Sequence, residues 1–511
     1  MVDRPADLAL GRTFDLKTPM PLGGRTIILL WGMASVLMGL LTTYLLMRGE
    51  IRLLVLLSLG MLGVACLSLR NGVYILTAFL PFMYFLRRQV LHFQEYEPRD
   101  PILLFPAFTT LAMLGGMLVF RGRVFFHYFR ESAVLKYATF LMLVFFAAAA
   151  NPMQSSPLVG VAGIMYFIVP MAWCFFGLLL SREDMRRIQT MVLVIGTVTA
   201  LYALFQHYFG MSAVEIMELK AKQFLKGFGG ISKARVMSTF AGLSDFATYM
   251  TVFAFIAFAR LLYGRRKVLM AALFVLALWA MLWSAIRTSY LVLVFSLLML
   301  ATLSTKSLRG IIVRAAVLCI VIVVLYGVLY TYNPRSLYGQ QFSDNPFVVH
   351  TISGITHPTQ EGTFKVRLKN WSGIVAGAFT SAPLGHGLGS TTTAAGKFGE
   401  GKQFETDSYF FELFYGSGLF APMLFLILLG LFLRDLLLLC LKYPAVMEYR
   451  ICFGITCGAA LSSVFGQAFR DSISGPLMWL MMGWVIREIV DRRAEAAVDA
   501  PGATQPGPSV V

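Results

Sequence analysis

The chain has 511 residues, of which 58% are hydrophobic and 14% charged, and its mean hydropathy is +0.73. Soluble domains carry roughly 25% charged residues, so this composition excludes a soluble enzyme and predicts an all-α polytopic membrane protein. The net charge of +17 is spread over short loops between apolar segments, which argues against a nucleic-acid partner. All six cysteines lie in apolar segments, so we predict neither a disulfide framework nor a cysteine metal site.

About fourteen apolar segments are long enough to cross a bilayer. Residues 1–25 are polar and basic and precede a full-length span, so we expect a cytoplasmic N-terminal tail. An even number of spans returns the C-terminus to the cytoplasm, where residues 488–511 are predicted to form a disordered tail. The spans are placed near residues 26–47, 53–69, 72–86, 101–120, 134–150, 157–180, 188–209, 246–263, 268–286, 289–304, 311–330, 408–433, 450–468 and 474–487.

Two long loops are predicted to lie outside the cytoplasm. The larger loop (331–404) contains apolar residues at helical spacing from Phe364 to Phe379. This spacing predicts short amphipathic helices on the membrane surface, with Arg367 beside the apolar stripe. The smaller loop has five Lys/Arg against three Asp/Glu (+2) and the larger has six against three (+3), which indicates an anionic ligand on the outer face. The chain is thus divided into an N-terminal bundle (26–210), a loop (211–245), helices with a turn at Arg287 (246–330), a larger loop (331–404) and C-terminal helices (405–487).

Two arginines stand where apolar helices meet the outer loops. Arg287 lies between two spans, and Arg235 lies just before a span that begins beyond Thr239-Phe240. A guanidinium at membrane depth is costly, so it either reaches water from a helix end or is kept for a bound anion such as a phosphate. Both interpretations stay open for Arg287, and a solvated interfacial cation is the alternative for Arg235.

Further candidates follow in and after the larger loop. His386 lies in the flexible turn Pro383–Gly389, where it is either a ligand contact or only a loop residue; the turn is weak as a phosphate loop because no helix with Lys-Ser/Thr follows. Asp407 precedes the next apolar helix, where it is either an N-cap or a general base for a sugar hydroxyl. Glu412 is the clearest acid inside a predicted span.

Several catalytic motifs are missing from the sequence. It contains no Asp-x-Asp pair for a metal–nucleotide complex, no P-loop, no His-Glu-x-x-His and no Gly-x-Ser-x-Gly. Glu95-Tyr-Glu97 is similar to the acidic pairs of some metal-dependent membrane glycosyltransferases, although one short pair is a weak signal.

The order of these features resembles the O-antigen ligase and O-antigen polymerase superfamily, bacterial integral membrane enzymes that finish or extend surface polysaccharides. The resemblance covers roughly residues 230–430 and includes Arg235 before Thr239-Phe240, the arginine-bearing turn Ser284–Thr288, and an outer loop with Arg-x-x-x-Trp and Pro-Leu-Gly-x-Gly-x-Gly. In the ligases the next helix begins with His and a small polar residue, then nine residues, then Gly. Here Asp407-Ser408 keeps that spacing to Gly418, but Asp replaces His and Ile286 replaces the usual Ser, which favours polymerisation over ligation.

The resemblance implies an activity at the periplasmic face of the bacterial inner membrane. The donor would be a glycan on undecaprenyl diphosphate and the acceptor a hydroxyl of another glycan, with a flippase and a chain-length regulator as further partners. Arg287 and Arg235, with Arg367, would hold the diphosphate without a metal or other cofactor, and His386 and Lys369 would contact substrate. Asp407 would be the general base of an inverting transfer.

Three functions stay open at this point. The first is a lipid-linked glycan polymerase, or alternatively an O-antigen ligase acting on lipid A core. The second is a transporter of polysaccharide or lipid-linked sugar, which requires a water-lined, two-gated cavity with polar residues on many spans. The third is a metal-dependent glycosyltransferase with a polyprenyl monophosphate donor, in which Glu95 and Glu97 would be essential.

Overall fold

The computed structural model describes residues 69–91, 101–221, 235–284, 286–303, 362–399, 404 and 406–498, with a few helical positions between 309 and 320. All of them belong to the compact unit Ser58–Val511. The predicted span at 26–47, nearly all of 53–69 and most of 311–330 lie outside the described residues.

The described residues form helices and no strand. Six helices are long and apolar enough to cross a membrane, and three shorter ones are also apolar, so the prediction of an all-α membrane protein is confirmed while the number fourteen stays a prediction. The helices are α1 (Leu69–Leu91), α2 (Pro101–Glu131), α3 (Ala133–Ala149), α4 (Pro157–Gly177), α5 (Arg182–Phe209), α6 (Ala213–Ala221), α7 (Leu243–Tyr263), α8 (Lys267–Leu282), α9 (Arg287–Thr302), α10 (Gly362–Thr380), α11 (Thr393–Phe398), α12 (Tyr409–Ser417), α13 (Phe420–Lys442), α14 (Met447–Phe465) and α15 (Ser474–Val498).

The predicted continuous span at 408–433 is wrong, because the chain breaks between α12 and α13. Gly418 adopts φ +65°, a conformation that side chains other than glycine rarely take. A Cβ at this position would also overlap the carbonyl oxygen of Pro383, which lies against the break. The Leu419 amide donates to that same oxygen over 3.2 Å. The sequence is continuously apolar across this helix break and therefore does not reveal it. The break depends on the conformation of one glycine.

Two helices are longer than predicted. The helix predicted to end at residue 120 continues as α2 to Glu131, with a kink at Arg121. Residues 488–498, predicted as part of a disordered tail, are the last turns of α15. Ile489 and Val490 are buried there, and Tyr128 donates to Asp491 over 3.0 Å. Tertiary contacts therefore order a segment whose charged composition alone favours a tail.

The closest helix packing in the core joins α4 and α15. Gly177 on α4 and Gly483 on α15 lie directly against the backbone of the other helix, because a Cβ on Gly483 would overlap the carbonyl oxygen of Cys174. Trp173 and Trp484 are buried beside these glycines. Small residues that allow two backbones to approach closely are the usual way in which membrane helices gain packing energy.

Contacts between helix ends gather the outer loops at one end of the bundle, which we call the site end. It holds the C-termini of α1, α3, α5, α8 and α14 and the N-termini of α4, α7, α9, α12 and α15. Hydrogen bonds link Arg88 to Ser238, Val236 to Trp283, Leu388 to Ala148 and Ser408 to Ser463. These are the ends that the predicted topology puts outside the cytoplasm, and the side of the membrane itself stays a prediction.

We expect Gly483→Ala to destabilise the protein by about 1–3 kcal/mol, because the added methyl group overlaps the α4 backbone. Thermal unfolding of the full-length protein in lipid nanodiscs measures this. Gly430→Ala on α13 is the matched control, since a Cβ there meets open space. Equal melting temperatures for the two variants would contradict the close packing of α4 and α15.

Candidate functional site

A fully buried guanidinium at the end of α1 organises one side of the site end. Arg88 has no exposed surface, and its Nε donates to Glu218 Oε2 over 2.7 Å. Its Nη1 donates to the Ser238 carbonyl over 2.8 Å, and its Nη2 donates to the Phe240 carbonyl. Arg87 donates to the other oxygen of Glu218 over 3.1 Å. These bonds fasten α6 and the segment before α7 to α1.

The segment that follows Arg235 is further held by side chains from α5 and α1. Ser238, at φ 53°, donates its amide to Gln206 Oε1 over 2.7 Å. Thr239 donates its hydroxyl to the Pro81 carbonyl over 2.6 Å. The Val236 amide donates to the Trp283 carbonyl over 3.1 Å, in the turn that leads to Arg287. Local sequence therefore does not position Arg235; contacts with three other segments do.

The Val236–Trp283 hydrogen bond joins the segment of Arg235 to the turn that leads to Arg287, and we call these two arginines the arginine pair. Both side chains are partly buried. Burial and the positive charge of Arg287 lower the pKa of Arg235 below its usual range. Arginine nevertheless keeps its proton in proteins, so these joined segments carry two positive charges at the site end. Such a pair favours a multivalent anion, and a diphosphate matches its donors.

The second part of the site is the Arg367–Asp407 ion pair. Arg367 Nε donates to Asp407 Oδ2 over 2.7 Å, and the side chains are 36% and 58% exposed. The interpretation of Asp407 as an N-cap is wrong, because Ser408 is the residue whose hydroxyl accepts the Phe411 amide. The Asp407 carboxylate is therefore held by a side chain from the outer loop and open to solvent.

The ion pair lies where α10 runs alongside α12. The pairs Arg367–Asp407 and Trp371–Phe411 show the same shift of forty residues, and the Trp371 and Phe411 rings stack at 4.6 Å. The predicted apolar stripe is only partly buried: Trp371 packs inward with Ile374 and Ala378, whereas Leu368 is 47% and Phe379 67% exposed. Helix packing thus selects a different face of α10 from the one that apolar spacing indicated.

His386 and Lys369 line one cavity of about 240 Å³ between α10 and the last turn of α12. The His386 ring stacks on Tyr415 at 4.4 Å, and Phe404 stacks on Tyr415 at 4.3 Å. The remaining lining consists mainly of small and apolar residues: Asn370, Gly373, Ile374, Gly377, Ala378, Ala382 and Phe414.

The glycine-rich turn that contains His386 is pinned by backbone hydrogen bonds. The His386 amide donates to the Tyr415 carbonyl over 2.8 Å, and the Gly387 amide donates to the Gly416 carbonyl over 3.0 Å. The Leu388 amide donates to Ala148 at the end of α3 over 3.1 Å. These amides are therefore used in the fold, and the turn acts as a support for the His386 ring.

Sequence reasoning missed Arg470, which lies in the loop between α14 and α15. It forms an ion pair with Glu412, a fully buried residue that also accepts the Thr391 hydroxyl over 2.5 Å. The Arg470 guanidinium lies over the Tyr166 ring at 5.1 Å. Like Arg287, Arg470 lies between two spans, but Asp471 follows it directly, whereas Arg287 has no acidic residue nearby in sequence. The pair ties α12 to the loop before α15.

The six predicted site residues thus form three groups: the arginine pair, the Arg367–Asp407 ion pair, and the cavity that holds Lys369 and His386. Within the residues that the structure describes, no group of three or more His, Cys, Asp or Glu side chains is arranged to hold a metal ion. Glu95 and Glu97 lie outside that part of the chain.

Comparison with known proteins gives no family assignment. No protein-family model matches the chain, and no curated protein matches it.

Replacing Arg88 by Met should destabilise the fold by about 3–5 kcal/mol, because the change removes a buried guanidinium that pairs with the carboxylates of Glu215 and Glu218. The melting temperature of the full-length protein in nanodiscs reports this loss. Arg265→Met, at an exposed position after α7, is the control and should leave it unchanged. A melting temperature for Arg88→Met equal to that of the control would show that the buried network does not hold the site end together.

Proposed function

We propose that this protein is an integral membrane glycosyltransferase of the O-antigen or exopolysaccharide polymerase type. It transfers a glycan from undecaprenyl diphosphate to a hydroxyl of an acceptor glycan, at the periplasmic face of the bacterial inner membrane. The reaction proceeds with inversion at the anomeric carbon, and the protein's own arginines supply the positive charge.

The observation that carries the proposal is the arginine pair at the same end of the bundle as the Arg367–Asp407 ion pair. A sugar that leaves a lipid diphosphate generates negative charge on the leaving group. Fixed guanidinium groups stabilise such charge most strongly where protein partly excludes water, as it does around half-buried Arg235. The Asp407 carboxylate, at the same end of the bundle, supplies the complementary function, a base for the incoming hydroxyl.

The proposed step uses these groups in order. Asp407 accepts the proton of the acceptor hydroxyl as that oxygen bonds to the anomeric carbon of the donor. The bond between the anomeric carbon and the diphosphate oxygen breaks, and undecaprenyl diphosphate leaves with its electron pair. Arg235 and Arg287 hold the diphosphate throughout. Arg367 pairs with Asp407 in this structure and also contacts the diphosphate. When Arg367 moves from Asp407 to the diphosphate, the Asp407 carboxylate becomes free to accept the proton.

Polymerisation is preferred to ligation because Asp407 occupies the position at which ligases of the resembled superfamily carry histidine. The partners that follow are the lipid-linked donor, the acceptor glycan, the bilayer, a flippase that delivers the donor and a regulator of chain length.

Arg287→Ala and Arg235→Ala should each lower the transfer rate by about 10²–10³, the loss typical of removing one donor to a developing negative charge. The measurement is release of undecaprenyl diphosphate, with glycan length, in proteoliposomes that contain the lipid-linked donor. Arg265→Ala, at the opposite end of the bundle, is the matched control for loss of an arginine. Folded Arg287→Ala protein that still makes full-length polymer would refute the role of the arginine pair.

Asp407→Asn should lower the transfer rate by about 10²–10⁴ because the amide accepts no proton. The exposed ion pair contributes roughly 0–1 kcal/mol, so the melting temperature should barely change. Glu183→Gln serves as the control, since Glu183 forms an exposed ion pair with Arg187 at the other end of the bundle. Full activity of Asp407→Asn would rule out its role as the base.

A further inference from the structure

Two of the α10 residues that line the cavity between α10 and the end of α12 are glycines. Gly373 and Gly377 are one helical turn apart on α10 and both line the cavity. A Cβ on Gly373 would meet open space, so its absence is not explained by packing against a neighbour. Glycine in a helix interior costs about 0.5–1 kcal/mol relative to alanine. The glycines therefore leave space in the cavity that no side chain fills.

The opposite wall of the cavity is aromatic. His386, Tyr415 and Phe404 form one continuous stack, and Phe414 adds a fourth ring beside it. Flat rings at the edge of a cavity offer a surface on which the C–H face of a pyranose packs. A cavity of about 240 Å³ lies below the roughly 300–1,000 Å³ of pockets that enclose drug-sized ligands, which suits a single sugar ring.

The polar groups of the cavity define the charge of that sugar. His386 lines the cavity, and its buried Nδ1 has no hydrogen-bond partner among the described residues, so the imidazole is not committed to the protein at that atom. Asn370 adds an amide with both donor and acceptor capacity, and Lys369 adds an ammonium group. A neutral sugar uses the imidazole and the amide, whereas a carboxylate on the ring also pairs with Lys369.

The place of the cavity relative to Asp407 identifies which part of the substrate it takes. Phe414 and Tyr415 lie in the last turn of α12, whereas Asp407 precedes its first turn. At 1.5 Å per residue the two are roughly 10 Å apart along the helix, so a ring that packs on His386 and Tyr415 is not the one that reacts, and Lys369, two residues after Arg367, lies between the two places. α10 runs beside α12 over this distance and connects the two places.

We propose that this cavity is a subsite for one acidic pyranose ring of the acceptor glycan, located behind the sugar whose hydroxyl meets Asp407. That the ring belongs to the acceptor glycan rests on the proposed transfer reaction. Binding of an acidic sugar in the cavity does not require that reaction. The subsite selects acceptors with a uronic acid or a similarly charged ring near their reacting end.

Binding of glucuronate and of glucose to the full-length protein in nanodiscs, measured by saturation-transfer NMR and calorimetry without donor lipid, tests the subsite directly. Glucuronate should bind at least roughly tenfold more tightly than glucose, since a hydrogen bond to a charged group is worth about 1.5–3 kcal/mol. Lys369→Gln should abolish the difference between the two sugars. Equal binding of the two sugars by the unaltered protein would overturn the acidic assignment.

Gly373→Leu is the decisive variant, because its side chain fills the cavity. Gly430→Leu on α13 is the matched control, since a Cβ on either glycine meets open space. The Gly373 variant should lose glucuronate binding and keep its melting temperature, whereas the control keeps both. Retained binding in Gly373→Leu would place the sugar elsewhere and overturn the proposal, and the Lys369 variant decides the matter if Gly373→Leu fails to fold.

The same variants separate this proposal from the proposed function. Sugar binding that depends on Gly373 and Lys369, in a protein that releases no undecaprenyl diphosphate, would keep the subsite and reject the transferase. Transfer that proceeds unchanged in Gly373→Leu would keep the transferase and reject the subsite.

Discussion

The site end depends on the neutralisation of a guanidinium that has no contact with water. Arg88 is fully buried, and an isolated charge in that position would destabilise the fold by several kcal/mol. Its partners are a carboxylate on α6 and two backbone carbonyls of the segment before α7. Because these partners come from two different parts of the chain, satisfying this one side chain also fixes the segment that carries Arg235. The charge balance of the buried Arg88 network thereby determines where Arg235 lies.

The site end contains charges arranged in two opposite ways. Arg88 and Arg470 are each matched by carboxylates and hold helices together, as buried charges generally must. Arg235 and Arg287 are instead only partly buried, in segments joined by the Val236–Trp283 hydrogen bond. The Arg367–Asp407 pair is exposed as well and adds little stability, so these four side chains carry the charges that the proposed anionic substrate would meet.

Much of the fold was predictable because hydrocarbon leaves the backbone few choices. The apolar segments at 134–150 and 157–180 correspond to α3 and α4, since a chain in lipid satisfies its amides only by forming a helix. Hydropathy does not reveal helix breaks. The break at Gly418 follows from the positive φ of this residue and from its contact with Pro383, and neither of these is visible in the apolar pattern. The last turns of α15 became ordered through contacts with α2, which no local signal in residues 488–498 predicts.

The sequence by itself determined that this is an all-α membrane protein and which polar residues stand at helix ends, because both follow from the cost of placing charge and free amides in lipid. Only the tertiary structure decided which of those residues meet. Arg235 lies near Arg287, Arg367 near Asp407, and Lys369 near His386 because distant helix ends pack together. Sequence spacing within a helix determines which residues lie on the same face of that helix. Packing between helices determines what that face contacts.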